Sequence, residues 1–188
     1  MKICSWNINS IRLRETQVLR FLREQSPDVI CFQECKSPVE NIPQKGFHEL
    51  GYNFMAARGQ KGYNGVAIFS KIPISKEFSI DFANLGQARH IAVCLENSFT
   101  IHNFYVPAGG DEPNIEINLK FKQKINFLND MKNWFISNKP KKAILVGDLN
   151  IAPDEDDVWD HKKLSKVVSD TPLVVPPQRP APNPVPCT

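Results

Sequence analysis

The sequence predicts an α/β domain in which strands and helices pack in layers. Three observations point there. The N-terminal part reads strand, helix, strand: KICSWN (2–7), an apolar stripe through Val18, Leu19 and Leu22, then VICFQE (29–34). Two β-prone runs, IAVCLE (91–96) and FTIHNFYV (99–106), are separated by Asn97-Ser98 alone, the spacing of an antiparallel hairpin. A long amphipathic helix from about Glu116 to Ser137 leads into AILVGDLNIAP (143–153), an apolar run that ends in polar residues.

Each element has a local reason. Pro27-Asp28 ends the first helix. Residues 36–64 are mixed, and Gly46, Gly51, Gly59 and Gly62 mark turns. GVAIFSK (65–71) reads as a strand stopped by Ile72-Pro73. VPAGGDEP (106–113) reads as a loop. In the long helix Leu119, Phe121, Ile125, Leu128, Met131 and Phe135 fall near helical spacing, and Pro140 lies beyond its end. The acidic stretch DEDDVWDHKK (154–163) suits a turn or short helix. Residues 171–188 hold seven prolines, a density no strand or helix interior tolerates. They read as an extended tail, passive or in contact with a polyproline-reading domain.

The bulk numbers exclude several classes. A chain of 188 residues fits one domain, or two only if both are small. Hydrophobic content of 41% and charged content of 23% are those of a globular protein. The net charge of +3 permits contact with phosphates without establishing it. The five cysteines form no CxxC and no disulfide framework, and Cys4, Cys31 and Cys94 sit inside strand-like runs as small hydrophobes. The N-terminus turns polar by Asn7, and no stretch approaches membrane-spanning length, so a cytoplasmic protein is expected.

Chemistry concentrates at strand ends. Trp6-Asn7, Gln33-Glu34 and Gly147-Asp148-Leu149-Asn150 each close an apolar run, and FTIHNFYV ends near Tyr105. A rigid sheet fixes such positions while leaving their tips solvated. Asn7, Glu34, Asp148 and Asn150 offer oxygen donors, which suit Mg²⁺ or Mn²⁺ rather than zinc. If Asp148 and Asn150 are both extended, their side chains leave on one face and could reach one water or one phosphate. Tyr105 could donate a hydrogen bond or, ionised, accept a proton. Bland alternatives stand beside each: turn chemistry for Asn7 and Asn150, a cap for Asp148, a surface pair with Lys36 for Glu34, a core aromatic for Tyr105. Arg89-His90 could meet a phosphate or be a solvated pair. His102 reads as structural, and His48, His90, His102 and His161 lack zinc spacing. There is no GxxxxGK[ST], GxSxG or GxGxxG.

In order, KICSWNINSIR, DVICFQECK, GYNGVAIFSK, NFYVPAGG and AILVGDLNIAP resemble the exodeoxyribonuclease III family, over roughly residues 1–170. This is the apurinic/apyrimidinic endonuclease branch of the endonuclease/exonuclease/phosphatase superfamily. The resemblance implies a four-layer α/β (α+β) sandwich, two mostly antiparallel sheets face to face with helices outside. It implies Glu34 as principal Mg²⁺ ligand (Mn²⁺ serving as well) with Asn7, Asp148 and Asn150 in the metal set. Tyr105 would lie near the scissile phosphate, Asp148 would act as general acid/base, and Asn150 would bond the phosphate or water. Asn64, in GYNGVAIFSK, and Arg89 would contact substrate. The implied partner is duplex DNA, cut 5′ of an abasic site or shortened from a 3′ end by a monomer.

The family's terminal Ser-Asp-His element is absent from this sequence, and no histidine follows His161. The expectation is therefore a partial, C-terminally truncated family domain over 1–170, with an incomplete second sheet. Its first sheet would lack cover on the inner face, and its nuclease activity would be little or none. Two other readings stand: a different phosphodiesterase or phosphatase of the superfamily, and a non-enzymatic decayed fragment.

Overall fold

The computed structural model describes residues 1–96, 99–152 and 155–157. Its strands are β1 (Ile3–Asn7), β2 (Val29–Gln33), β3 (Phe54–Arg58), β4 (Val66–Ser70), β5 (Ile74–Phe78), β6 (His90–Leu95), β7 (Thr100–Tyr105) and β8 (Ala143–Asp148). The helices are α1 (Glu15–Gln25), α2 (Lys45–Glu49) and α3 (Leu119–Asn138), besides short 3₁₀ turns. Contacts gather Met1–Pro107 and Asn126–Asn150 into one compact unit, and Ala108–Ile125 with Ile151 and Ala152 into a second.

The first unit holds both sheets. One runs β1-β2-β4-β3, the other β5-β6-β7-β8. Each has a single parallel pair, β1 with β2 and β7 with β8, and is otherwise antiparallel. The period of two sorts the residues. Val29, Cys31, Ala56, Val66 and Ile68 of the first sheet pack against Ile91, Val93, Leu95 and Ile101 of the second. The expected uncovered inner face is not found at β2 and β4, where Val29, Cys31, Val66 and Ile68 are fully buried under the second sheet, whereas along the edge strand β1 Ile3 is half-buried and Ser5 exposed. Val18 and Leu22 of α1 and Phe47 of α2 cover the outer side of the first sheet, with Ile30, Phe32, Ala67 and Phe69. Phe127, Leu128, Met131, Trp134 and Phe135 of α3 cover Phe104 on the outer side of the second. Burying a side chain of this size is worth about 1.5–3 kcal/mol.

Some expectations shift. The hairpin partners pair in register Val93↔Ile101, while Asn97 and Ser98 lie outside the described residues, as do most of the acidic stretch, His161 and the tail. β3, β5 and α2 were not read from the sequence. α3 begins at Leu119 rather than Glu116 because the Asn118 carboxamide oxygen accepts from Lys120 N–H (3.0 Å) and Phe121 N–H (3.2 Å), capping the helix there. Leu119 itself is 68% exposed and takes no part in a core. Within the second unit, Asn118 also donates to the carbonyls of Gly109 and Glu112, and the buried Lys124 ammonium reaches the Ala108 carbonyl. Among the described residues, no helix is long and apolar enough to cross a membrane. Cys4, Cys31, Cys35 and Cys94 are free thiols.

Arg89-His90 is not a solvated pair. His90 is buried on the outer side of β6 and contacts His102, as the structural reading of His102 expected. Ile80 N–H donates to His90 Nδ1 at 3.0 Å, so His90 carries its proton on Nε2 and donates to His102 Nδ1 at 3.1 Å. The proton of His102 is then on its own Nε2, buried without a hydrogen-bond partner beside the rings of Trp134 and Phe135. Burial, then the neighbouring imidazole, pulls the His90 pKa down to about 3. Burial pulls that of His102 down to about 4.

Candidate active site

The inward positions Ile3, Ser5 and Asn7 alternate along β1, and Val29, Cys31 and Gln33 along β2. On the second sheet Ile101, Asn103 and Tyr105 face inward along β7, and Val146 and Asp148 along β8. Both parallel pairs thus deliver a polar inward residue at their C-terminal ends, Asn7 with Gln33 and Tyr105 with Asp148.

These ends meet. The Asn7 carboxamide donates to Glu34 Oε1 at 2.9 Å and to Asp148 Oδ2 at 2.8 Å. The Tyr105 hydroxyl donates to the same Glu34 Oε1 at 2.9 Å. Lys36 Nζ pairs with Glu34 Oε2 at 2.9 Å and with Asn9 Oδ1 at 2.5 Å. The surface pair foreseen for Glu34 therefore exists, on the outer side of a residue that also joins the cluster. Glu34 has φ of +54°, a conformation that costs a non-glycine residue about 1–3 kcal/mol and recurs at functional sites. It ends β2 and turns the carboxylate toward Asn7 and Tyr105.

Local geometry also fixes Asp148. Gly147 has φ of +140°, and a Cβ there would sit 2.0 Å from the Phe104 carbonyl oxygen, so β8 can lie this close to β7 only with glycine at that place. The extended geometry imagined for Asp148 and Asn150 does not occur. β8 stops at Asp148, Asn150 is left-handed at φ +51°, and its side chain donates to the Val106 carbonyl at 2.8 Å. Asn150 contributes its backbone N–H instead, which donates to Asp148 Oδ1 at 3.1 Å.

The remaining predicted residues form a flank. The Arg89 guanidinium lies over the Tyr105 ring, 4.8 Å from its centre, and donates to the Tyr105 carbonyl and to Gln87 Oε1. Asn64 is buried, and its carbonyl accepts from the N–H of Lys36, the partner of Glu34, at 2.8 Å. Its amide donates to Gln60 and to the same Gln87 oxygen, which links it indirectly to Arg89.

Electrostatics set the protonation states. Burial pushes the Glu34 carboxyl up, but hydrogen bonds from Asn7, Lys36 and Tyr105 and the charge of Lys36 outweigh it, so its pKa lies below the ordinary value. Burial, the bond to Glu34 and the Glu34 charge push Tyr105 up to about 12, against the pull of Arg89. Tyr105 is thus a neutral donor at neutral pH, in keeping with its bond to Glu34. Burial, foremost, lowers the Arg89 pKa, opposed by Tyr105 and Glu34.

Among the described residues, no group of three or more His, Cys, Asp or Glu side chains is placed to hold a metal ion. The donors present are the Glu34 and Asp148 carboxylates, tied together by Asn7. Two carboxylates are hard oxygen donors of the kind a divalent cation takes. Sequence reasoning noted Gln33 only as a strand end and missed Asn103; the two bond to each other behind the cluster. The signal for Asn103 was its place between Ile101 and Tyr105 on the inward face of β7.

The sequence model of the Endonuclease/Exonuclease/phosphatase family matches residues 4–187. Exodeoxyribonuclease III of Haemophilus influenzae is 33% identical over 166 residues, which are 84% of this chain and 60% of that protein. The chain thus spans about three fifths of the length of this curated relative. An AP endonuclease from Archaeoglobus fulgidus shares the fold with a TM-score of 0.81 and 31% identity, over 90% of this chain and 65% of that one. The Neisseria 3′ phosphatase NExo, bound to a product DNA hairpin, does so with a TM-score of 0.79 and 28% identity, over 87% and 63%. A chain matched almost end to end in sequence and shared in fold at this level belongs to the endonuclease/exonuclease/phosphatase family, in its exodeoxyribonuclease III and AP endonuclease branch.

Proposed function

We propose that the chain carries the hydrolytic centre of a DNA-repair nuclease that cleaves phosphodiester bonds of duplex DNA, 5′ of abasic sites and at 3′ ends. The observation that carries this reading is the convergence of Asn7, Glu34, Tyr105 and Asp148 at the ends of strands from both sheets. Glu34 and Asp148 would hold a divalent cation, Mg²⁺ or Mn²⁺, with Asn150 alongside. When bound, such an ion offsets the charge of phosphate oxygens and lowers the pKa of water. Asn7 offers both carboxylates its nitrogen, while its oxygen accepts from Asn9 N–H, so in this arrangement it orients the carboxylates.

Asp148 is held at both oxygens, by Asn7 and by the Asn150 N–H, and is poised to take a proton from the attacking water. Tyr105, protonated, can donate to a phosphate oxygen as charge develops there. The Arg89 guanidinium on its ring supplies positive charge to the same flank. The working unit in this reading is a monomer in the cytoplasm. A second reading, removal of a 3′ phosphate at the same site, is favoured by the likeness to the Neisseria 3′ phosphatase.

The test offers the chain three duplexes with Mg²⁺: one with an abasic site, one with a recessed 3′ end, and one with a 3′ phosphate. Cleavage that disappears with chelator, and in Glu34→Gln and Asp148→Asn, supports the reading, and the preferred duplex separates its two forms. Salt-dependent binding without any product would favour the non-enzymatic fragment instead.

A further inference from the structure

A polar bridge crosses the apolar layer between the two sheets. Gln33 at the end of β2 is 1% exposed, and Asn103 in β7 is fully buried. Gln33 Nε2 donates to Asn103 Oδ1 at 2.6 Å and to the Ser5 hydroxyl of β1 at 3.1 Å. Asn103 Nδ2 donates to the Phe32 carbonyl at 2.9 Å and to the Ala67 carbonyl at 3.1 Å. Both hydrogens and the oxygen of Asn103 are therefore engaged, and its amide has one orientation. The bridge fastens β7 to β2 and β4 of the opposite sheet, among Cys31, Val66, Ile68 and Ile101, where apolar residues would pack without any polar group to satisfy.

Its place explains its presence. Glu34 follows Gln33 directly, and Tyr105 lies two residues beyond Asn103 on the same face of β7. Two successive rungs therefore join the same two strand ends: Gln33 to Asn103, then Glu34 to Tyr105. Hydrogen bonds tolerate only a few tenths of an ångström, whereas apolar packing alone lets facing sheets slide further.

We infer that Asn103 is a positioning residue, whose bridge to Gln33 holds β2 and β7 at the separation at which Tyr105 reaches Glu34. The inference rests on the proposed nuclease reading only for its effect on rate. Its structural core is tested without activity, by urea unfolding of the full chain at pH 7.5 in a cycle of Asn103→Leu and Tyr105→Phe. Tyr105→Phe is expected to lower the urea midpoint of the unsubstituted chain and to leave that of Asn103→Leu unchanged. Equal lowering in both backgrounds overturns the inference.

If Asn103→Leu does not fold, the cycle is run with Gln33→Met, which removes the Gln33–Asn103 rung while Asn103 keeps its bonds to the two carbonyls, and the lowering by Tyr105→Phe is then expected to shrink. On abasic-site duplex the bridge variant should lose about ten- to a hundredfold in kcat with KM little changed. Val93→Ala, which loosens the same layer without touching the bridge, should keep kcat. An equal loss in Val93→Ala overturns the positioning role. Absence of cleavage by the unsubstituted chain overturns the nuclease reading alone, and the cycle still decides the role of Asn103.

Discussion

Lowering the pH from 7.5 to 5.5 should cost the fold about 3 kcal/mol through two imidazoles on the outer face of the second sheet. His90 and His102 are held neutral, with pKa values near 3 and 4. In the unfolded chain each returns to about 6.5. Because the folded values are depressed, protons bind the unfolded chain preferentially, and stability falls as pH drops through 6.5. At pH 5.5 each unfolded imidazole is about ten parts protonated to one, worth about 1.4 kcal/mol, and the pair doubles this. The loss continues until the folded pKa values are reached. Against a typical stability of about 5–15 kcal/mol, that is a large fraction. Glu34 acts in a separate window, because its depressed pKa withdraws stability only below its ordinary value near 4.5. The assay is urea unfolding by far-UV circular dichroism at both pH values and constant ionic strength. The double variant His90→Gln, His102→Phe should lose far less stability over this interval. An unsubstituted chain with the same midpoint at both pH values, or a double variant that loses as much, would refute the neutral buried pair.

Other substitutions probe the site's frame. Gly147→Ala should destabilise by at least ~2 kcal/mol, since the new methyl would meet the Phe104 carbonyl; thermal unfolding measures this. Asn150→Ala should cost about 1 kcal/mol by removing the bond to the Val106 carbonyl, read from the urea midpoint. Tyr105→Phe should move the Glu34 carboxyl pKa upward, toward its ordinary value, because one of the donors holding it down is lost; a ¹³C NMR titration of that carboxyl would show no change if the bond were absent.

What could be read in advance follows from where apolar and polar residues alternate. β2, β4, β6 and β7 announce themselves as apolar runs because at least one face of each is buried, and β1 and β8, half-buried at the sheet edges, still carry enough apolar residues to show. β5 does not, since Ser75, Lys76 and Glu77 at its centre are exposed and carry no apolar signal. β3 was hidden by its two alanines and its lack of any β-branched residue. Asn7, Glu34, Tyr105 and Asp148 were legible because each closes a run. The conformation of Asn150 was not, because extension was assumed past the point where β8 ends. The role of Asn103 was not legible either, because its place in β7 gives no hint of which carbonyls across the sandwich it will satisfy.

The bond from Asn7 to Asp148 joins residues 141 positions apart, and that from Tyr105 to Glu34 joins residues 71 apart. Contacts of such sequence separation are reached only after long loops have closed, a slow event in the folding of β-rich chains. A chain with only its first sheet formed has Asn7 and Glu34 but neither Tyr105 nor Asp148. The cluster should therefore arise among the last events of folding and vanish among the first of unfolding. Its hydrogen bonds would then report whether a given molecule has finished folding.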